Sequence, residues 1–535
     1  MLLCSGAVQA PWRQIPASHF SQASDRTLWA GVASGLLLAL ALLPRGTGPI
    51  SFVALIPLLV ALDALPAARA ATRAGFACGL VLFLVGFAWM PFVGRRATLG
   101  PVLAYLLLAP LLALPVAGFA LAAVWLRHFG RKTFLFAVPG LWVTTEFVRH
   151  ASEFGNQFLL GYSLADHPAW IQLAGLGGVH LISLWVAAVN AALVGAVVSP
   201  RRAWPALAAV TLVPWAIGAA PRPAIPPLAP AQRIRVAGVQ PDVRAAERHL
   251  PARFDDHLRE LLRLSERSLG DRPDLIVWPE SAFEPLSPAA GAPFLGAVAH
   301  HLGTPLLSGI WRLGPGEQAT LRNSSVLATP NGAVIVAADK VNPIWGYESA
   351  PASSLSRRLA RAGLWTGKFS GGGSAEVVLV PRVPAPIRMG VLVCVDATYP
   401  ELARDLRRRG AELLVTIANE ADSGPMTSGL QARIARLRAA ENRLPLVRVA
   451  NTGPSEWVDA RGRVVASIET GASRVGTASL DLGEEAPPYT RLGDAPTCAL
   501  AVMTPAFLAA LGLARRRALR GNGSISLTLT KESRG

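Results

Sequence analysis

A cysteine at the end of an apolar, β-rich run is the first place in this chain where chemistry can be done. Residues 386–401, PIRMGVLVCVDATYPE, bring Cys394 out of a strand-like stretch just before a helix-like one, a turn that holds a nucleophile outward. Two earlier runs stop in the same way: DLIVWPE ends on Glu280, and AVIVAADK, after a Pro330-Asn331-Gly332 turn, ends on Lys340. A carboxylate, an amine and a thiol delivered by strand ends converge on one pocket if their strands pack together. A thiol of ordinary pKa, ~8.5, is mostly protonated at neutral pH, so the carboxylate suits its deprotonation and the lysine cation favours the anions that follow. A lone cysteine after a strand also serves as a small core residue. Three strand ends of one design weigh toward chemistry.

Those strands sit in a chain that does not read as fully soluble. Of its 535 residues 52% are hydrophobic and 16% charged, against about 25% charged in an average soluble domain. The four cysteines, at 4, 78, 394 and 498, form no disulfide framework. No Cys or His pairs stand at ligand intervals, so neither a metal nor a cofactor is expected. The formal charge of +17 comes from arginines gathered beside apolar segments rather than in one patch, which argues for membrane topology and against a nucleic-acid partner.

Apolar runs fall at about 28–44, 48–63, 75–94, 99–126, 134–149, 178–198 and 204–219, with another at 495–514. The expected architecture is a polytopic α-helical membrane domain of about eight spans, seven before and one after an α/β domain. Arg69 and Arg73, then Arg127, Arg131 and Lys132, then Arg201 and Arg202, mark alternate connections, and Arg515, Arg516, Arg517 and Arg520 follow the last run. Those sides are expected in the cytoplasm, Arg95 and Arg96 dissenting; both termini then lie inside and the polar middle outside. The predicted domains are a membrane domain over 1–219, a proline-rich linker over 220–233, an α/β domain over 234–483, a linker and last span over 484–514, and a basic, disordered tail over 515–535. Within 234–483 strand-like and helix-like segments alternate, with helices expected near 246–269, 290–302, 399–409 and 427–442.

The order Glu, Lys, Cys, carried by WPE, a strand-end lysine and C-x-D-x-x-x-P-E, resembles the nitrilase (carbon–nitrogen hydrolase) superfamily over residues 232–483. With spans on both sides of that domain, the whole chain resembles the membrane-embedded apolipoprotein N-acyltransferase branch. Segment 146–193, with Glu146, Arg149, Gly161, Tyr162, Ser163, Gln172, Gly178 and Asn190, is similar to that branch, as is AAENRLPLVRVANTG at 439–453. Glu146, Arg149 and Asn190 also read as interhelical polar contacts, and Gly175 and Gly178 as close-packing positions. The resemblance implies an α-β-β-α sandwich and acyl transfer from a phospholipid, through a cysteine thioester, to the free N-terminal amine of a diacylglyceryl-cysteine lipoprotein precursor. It puts Glu280 on the general base, Lys340 on the oxyanion-side cation and Cys394 on the nucleophile. Supporting positions are Glu348, which orients the lysine or is a loop charge, the backbone N–H of Val395, and Asn419. The implied location is the bacterial inner membrane, with the α/β domain on the periplasmic side; oligomeric state stays open.

Several positions depart from the family pattern. After the lysine the family reads Leu-Val-Pro-Phe-Gly-Glu-Tyr, whereas this chain has Pro343-Ile344-Trp345-Gly346-Tyr347-Glu348-Ser349. Val395 and Asp396 stand where Tyr-Glu is usual, and Asn419-Glu420-Ala421-Asp422-Ser423 replaces Asn-Asp-Ala-Trp-Phe. These changes keep two alternatives open: a membrane-tethered amidase or other thioester-forming acyltransferase of the same fold, and a catalytically inactive relative. Segment 351–373, with Leu359, Leu364, Trp365, Phe369 and flanking glycines, reads as a membrane-facing arm or as an ordinary surface loop.

Overall fold

The computed structural model describes residues 17–43, 45–92, 99–150, 155–198, 208–212, 216, 233–247, 250–282, 291–314, 320–344, 348–349, 369–372, 376–483 and 485–529. Its apolar half begins with α1 (Ala17–Leu42), followed by α2 (Ile56–Asp63), α3 (Ala68–Gly86), α4 (Leu99–Arg127), α5 (Arg131–His150) and α6 (Ala174–Val198). Among the described residues five helical segments are long and apolar enough to cross a membrane: Asp25–Leu42, Ala68–Phe92, Pro101–Arg127, Trp170–Val197 and Ala495–Arg517. That is fewer than the expected eight. The run at 48–63 is broken at Leu55 into short helices; Asn190 accepts the Leu55 N–H at 2.9 Å and donates to Ser51 O at 2.8 Å, holding the break from a neighbouring helix. Helix α5 is long enough, but Arg131, Lys132, Glu146 and Arg149 reduce its hydropathy. Most of 204–219 lies outside the described residues, as do 220–232 of the linker and 351–368 of the arm.

The polar residues of this half act as contacts between segments. Glu146 accepts from Trp142 Nε1 at 3.0 Å and from the Leu160 N–H at 2.8 Å, and Arg149 donates to Phe158 O at 3.2 Å. Gly178 interrupts α6 with φ +70°, and a Cβ there would fall 2.5 Å from the Tyr489 ring. The close approach explains the glycine.

The α/β half is two six-stranded sheets, ordered β12-β1-β2-β3-β4-β5 and β11-β10-β9-β8-β7-β6. The first comprises β1 (Arg233–Gln240), β2 (Leu275–Val277), β3 (Leu306–Leu313), β4 (Leu321–Ala328), β5 (Val334–Asp339) and β12 (Arg474–Asp481). The second comprises β6 (Val377–Val380), β7 (Ile387–Val393), β8 (Leu413–Ala418), β9 (Leu446–Ala450), β10 (Ser455–Val458) and β11 (Val464–Ile468). β1, β2 and β3 run parallel, as do β7, β8 and β9. Strands β2, β8 and β9 are buried throughout; β2 reads as an unbroken apolar run, while β8 and β9 each carry one buried polar residue, Thr416 and Arg448.

Val236, Leu307, Val391, Val415, Val447 and Trp457 fill the space between the sheets, and Trp457 Nε1 ties them by donating to Val236 O at 2.9 Å. Outside the first sheet lie α7 (Phe254–Ser268) and α8 (Gly291–Leu302), and outside the second α9 (Pro400–Arg408) and α10 (Gly424–Asn442). The layering is the α-β-β-α sandwich that the resemblance implies. Helix α7 starts later than expected, after a turn at Pro251–Arg253.

Helix α10 joins the two halves, and every residue from Thr427 to Asn442 is buried. Arg433 donates to the carbonyls of Leu42 and Leu43, Arg436 bridges Asp166 at 2.6 Å and Glu456 at 2.8 Å, and Glu441 accepts the Val179 N–H at 2.9 Å. Buried guanidinium groups held by such partners fix position as well as charge. The chain then departs from the sequence reading twice. The stretch at 484–496 holds a short helix, α11 (Pro488–Leu492), whose Tyr489 packs against Gly178. Helix α12 (Ala495–Leu529) runs through most of the tail expected to be disordered, since extending an existing helix costs far less than nucleating one.

Candidate active site

Parallel strands open their carboxyl ends toward one side of a sheet, and ligands in α/β folds bind there. Glu280 follows the end of β2, Cys394 the end of β7, Asn419 the end of β8 and Lys340 the end of β5. The two sheets therefore deliver all four from opposite faces of one cleft. Cys394 adopts φ +54°, and the next residues form a short 3-10 turn from Cys394 to Thr398. For a non-glycine residue that conformation costs roughly 1–2 kcal/mol and is held in place by its surroundings.

Lys340 Nζ lies 2.9 Å from Glu280 Oε1 and 2.7 Å from Glu348 Oε1. Asn323 of β4, which sequence reading passed over, donates to the same two oxygens at 2.7 and 3.2 Å. The other Glu348 oxygen accepts the Ile344 N–H at 2.7 Å, so this residue is an integral partner of the lysine rather than a loop charge. Burial alone would lower Lys340, but the carboxylates of Glu280 and Glu348 hold it well above the usual lysine range.

Cys394 is enclosed by protein atoms while part of its surface stays open to the cavity. Burial and the charge of Glu280 push its thiol well above the ordinary range, against the opposing pull of Lys340. That direction favours a resting thiol over a thiolate.

Asp396 fastens the lysine-bearing strand end to the cysteine turn. Its carboxylate accepts the N–H groups of Val341 and Asn342, both at 2.9 Å. Burial raises it to about 6, opposed by those hydrogen bonds and by Lys340. Asn419 donates to Glu280 O at 3.3 Å and accepts from Asn451 at 3.1 Å, so it supports the backbone under the carboxylate. Val395 is buried beside the thiol.

A cleft of about 530 Å³, the space at its open mouth included, gathers Glu280, Lys340, Glu348, Cys394, Val395 and Asn419, and its wall also includes Trp89 and Gln157 from the apolar half. Asn323 was not legible because nothing near it in sequence marks it; its signal is a polar residue facing inward on a buried strand. Gly309 was missed as well. A Cβ there would meet Ser281 N at 2.5 Å and Glu280 Cα at 2.6 Å, both backbone neighbours that cannot yield without moving the carboxylate. Gly309→Ala is expected to lower turnover about 100-fold while the protein still purifies folded in detergent, because displacements near 1 Å at reacting groups carry costs of that order. Turnover within twofold of the parent would show that Glu280 tolerates the shift.

An acid, a lysine and a cysteine at the strand ends of an α-β-β-α sandwich, opening onto a bed of apolar helices, define a membrane-borne protein of the carbon–nitrogen hydrolase fold. Residues 235–487 match the carbon–nitrogen hydrolase family, and residues 34–192 match the apolipoprotein N-acyltransferase N-terminal domain. The apolipoprotein N-acyltransferase of Bradyrhizobium diazoefficiens is 30% identical over 529 residues, covering 91% of this chain and 94% of that protein. That of Geobacter metallireducens is 29% identical over 536 residues, covering 94% and 99%. The chain belongs to the apolipoprotein N-acyltransferase family. Among solved structures, Saccharomyces cerevisiae Nit3, of branch 10 of the nitrilase superfamily, aligns at 20% identity with a TM-score of 0.36, covering 47% of this chain and 90% of its own.

Proposed function

We propose that the protein moves an acyl chain from a membrane phospholipid to Cys394 and from there to the free α-amine of a diacylglyceryl-cysteine lipoprotein precursor. In the first half Glu280 takes the thiol proton as sulfur attacks the ester carbonyl, and returns it to the departing alcohol. Lys340 and the Val395 N–H stabilise the oxygen on which negative charge builds. Glu348 and Asn323 keep the lysine aimed. In the second half the amine attacks the thioester, an amide forms and the thiol is regenerated.

The observation that carries this reading is the shared cavity, in which Glu280, Lys340 and Cys394 meet side chains of the apolar half. Acyl chains are costly to remove from lipid, and a site built against apolar helices avoids extracting them. The reading includes eight spans with both termini in the cytoplasm, the sandwich on the periplasmic side of the inner membrane, and domain limits near residues 219, 234, 483 and 514. The arginines at 69, 73, 127, 131, 201, 202 and 515–517 support that orientation.

Intact-mass measurement after incubation with phospholipid vesicles tests it. An acyl adduct on Cys394 that disappears on adding a diacylated lipopeptide, with the acyl mass appearing on the peptide, is the expected result. An adduct that hydrolyses without transfer would favour the amidase reading, to which Asp396 two residues after the thiol lends support. No adduct in the folded protein would overturn both.

A further inference from the structure

The two half-reactions leave one proton without a place to go. Glu280 gives up the thiol proton to the departing alcohol, so it enters the second half as a carboxylate able to accept one proton. An α-amine of ordinary pKa, ~7.7–8.0, arrives at neutral pH mostly as an ammonium. Turning it into an amide nitrogen releases two protons. One reaches Sγ through Glu280 as the C–S bond breaks. Lys340, already cationic between two carboxylates, cannot take the other.

Glu420 can. It follows Asn419 at the end of β8, lines the same cavity as the thiol, and is only 5% exposed. Arg448 grips its Oε1, while Oε2 is buried with no hydrogen-bond partner among the described residues. Gly453 packs closely against Oε2, since a Cβ there would lie 2.8 Å from that oxygen, so the glycine leaves it uncrowded. A buried carboxylate oxygen facing no donor is costly, and an incoming ammonium would supply the missing donor.

We propose that Glu420 is the acceptor-binding base: Oε2 receives the ammonium of the acceptor and takes one proton, so that a neutral amine attacks the thioester. The inference rests on the acyl-transfer reading above. Nitrogen then bonds to the carbonyl carbon, the C–S bond breaks, the second proton passes from nitrogen to Glu280 and on to Sγ, and one stays on the amide. Glu420 releases its proton to solvent when the product leaves. Its basicity suits the task, since burial raises it while Arg448 restrains the rise.

The test is a chase of preformed thioester. The full-length wild type and Glu420→Gln are loaded from phosphatidylethanolamine vesicles, then discharged at neutral pH by a diacylated lipopeptide or by hydroxylamine, which arrives uncharged. The ratio of lipopeptide to hydroxylamine discharge rates is expected to fall about 100-fold in Glu420→Gln and to recover in part in Glu420→Asp. A ratio unchanged from wild type overturns the assignment. A second arm needs no variant: wild-type discharge by the lipopeptide should hold its rate one pH unit below the pKa of the amine. A tenfold fall there, tracking the free-amine fraction, would also overturn it. Failure of the wild type to load at all removes the acyl-transfer reading and this inference with it, whereas loading without the ratio change removes this inference alone.

Discussion

Cys394→Ala is expected to abolish transfer, by at least about 10⁴-fold, with no acyl adduct detectable by mass and no loss of fold. The residue already occupies a left-handed backbone conformation that alanine adopts at similar cost, and only Sγ, partly open to the cavity, is removed. Stability should therefore change by less than about 1 kcal/mol. The resting thiol gives a second, independent readout. With its pKa pushed well above the ordinary range by burial and by Glu280, the sulfur is protonated at neutral pH, so iodoacetamide should label it slowly and faster as pH rises. Phospholipid, which places an ester beside the base, should react far faster at the same pH. Rapid alkylation at neutral pH would mean a preformed thiolate, and Glu280 would then not be needed to remove the proton.

The three strand-end residues were legible because each closes an apolar run, and a run of that kind needs only its neighbours in sequence to declare itself. Glu348 was legible by spacing, and the structure brings it onto the lysine. Asn323, Gly309 and the free oxygen of Glu420 were not, since each matters through strand pairing or packing that brings distant segments together. Gly309 faces Pro279 and Glu280 only because β2 and β3 run side by side. Helix α10 shows the same limit: its position near 427–442 was legible, but nothing local says that three arginines and a glutamate within it are buried. Their partners, among them the Leu42 carbonyl, Asp166 and Glu456, lie far away in sequence or on another strand. Apolar runs likewise announce membrane affinity but not continuity, and the break at Leu55 depends on Asn190, more than a hundred residues on. The tail misled in the other direction, because composition after Arg520 argues for disorder while an existing helix propagates through it.

Lys340→Met should cost both activity and stability, and the two losses can be separated. Lys340 is 2% exposed and stands between Glu280 and Glu348, whose Oε1 atoms share Asn323 as their other donor. Removing the ammonium leaves two buried carboxylates facing one another, a change worth about 3–5 kcal/mol of destabilisation. The wild-type lysine, held above its unfolded value, contributes stability that is fully present below the ordinary lysine pKa and is lost only as pH rises through the folded one, so it is constant from pH 5 to 9. The variant should behave differently. Like charges at that separation raise one carboxylate pKa above its unfolded value, so the folded state gains stability as pH falls through the raised value. The gap in thermal midpoint between wild type and variant should therefore narrow from pH 7.5 to pH 5. Adding Glu348→Gln to Lys340→Met removes the like-charge pair and should restore most of the midpoint at neutral pH. Transfer should stay lost in that double variant, by about 10³-fold, because the cation that meets the developing oxyanion is still missing. A double variant that regains both midpoint and transfer would reduce Lys340 to a structural counterion, leaving oxyanion stabilisation to the backbone N–H of Val395.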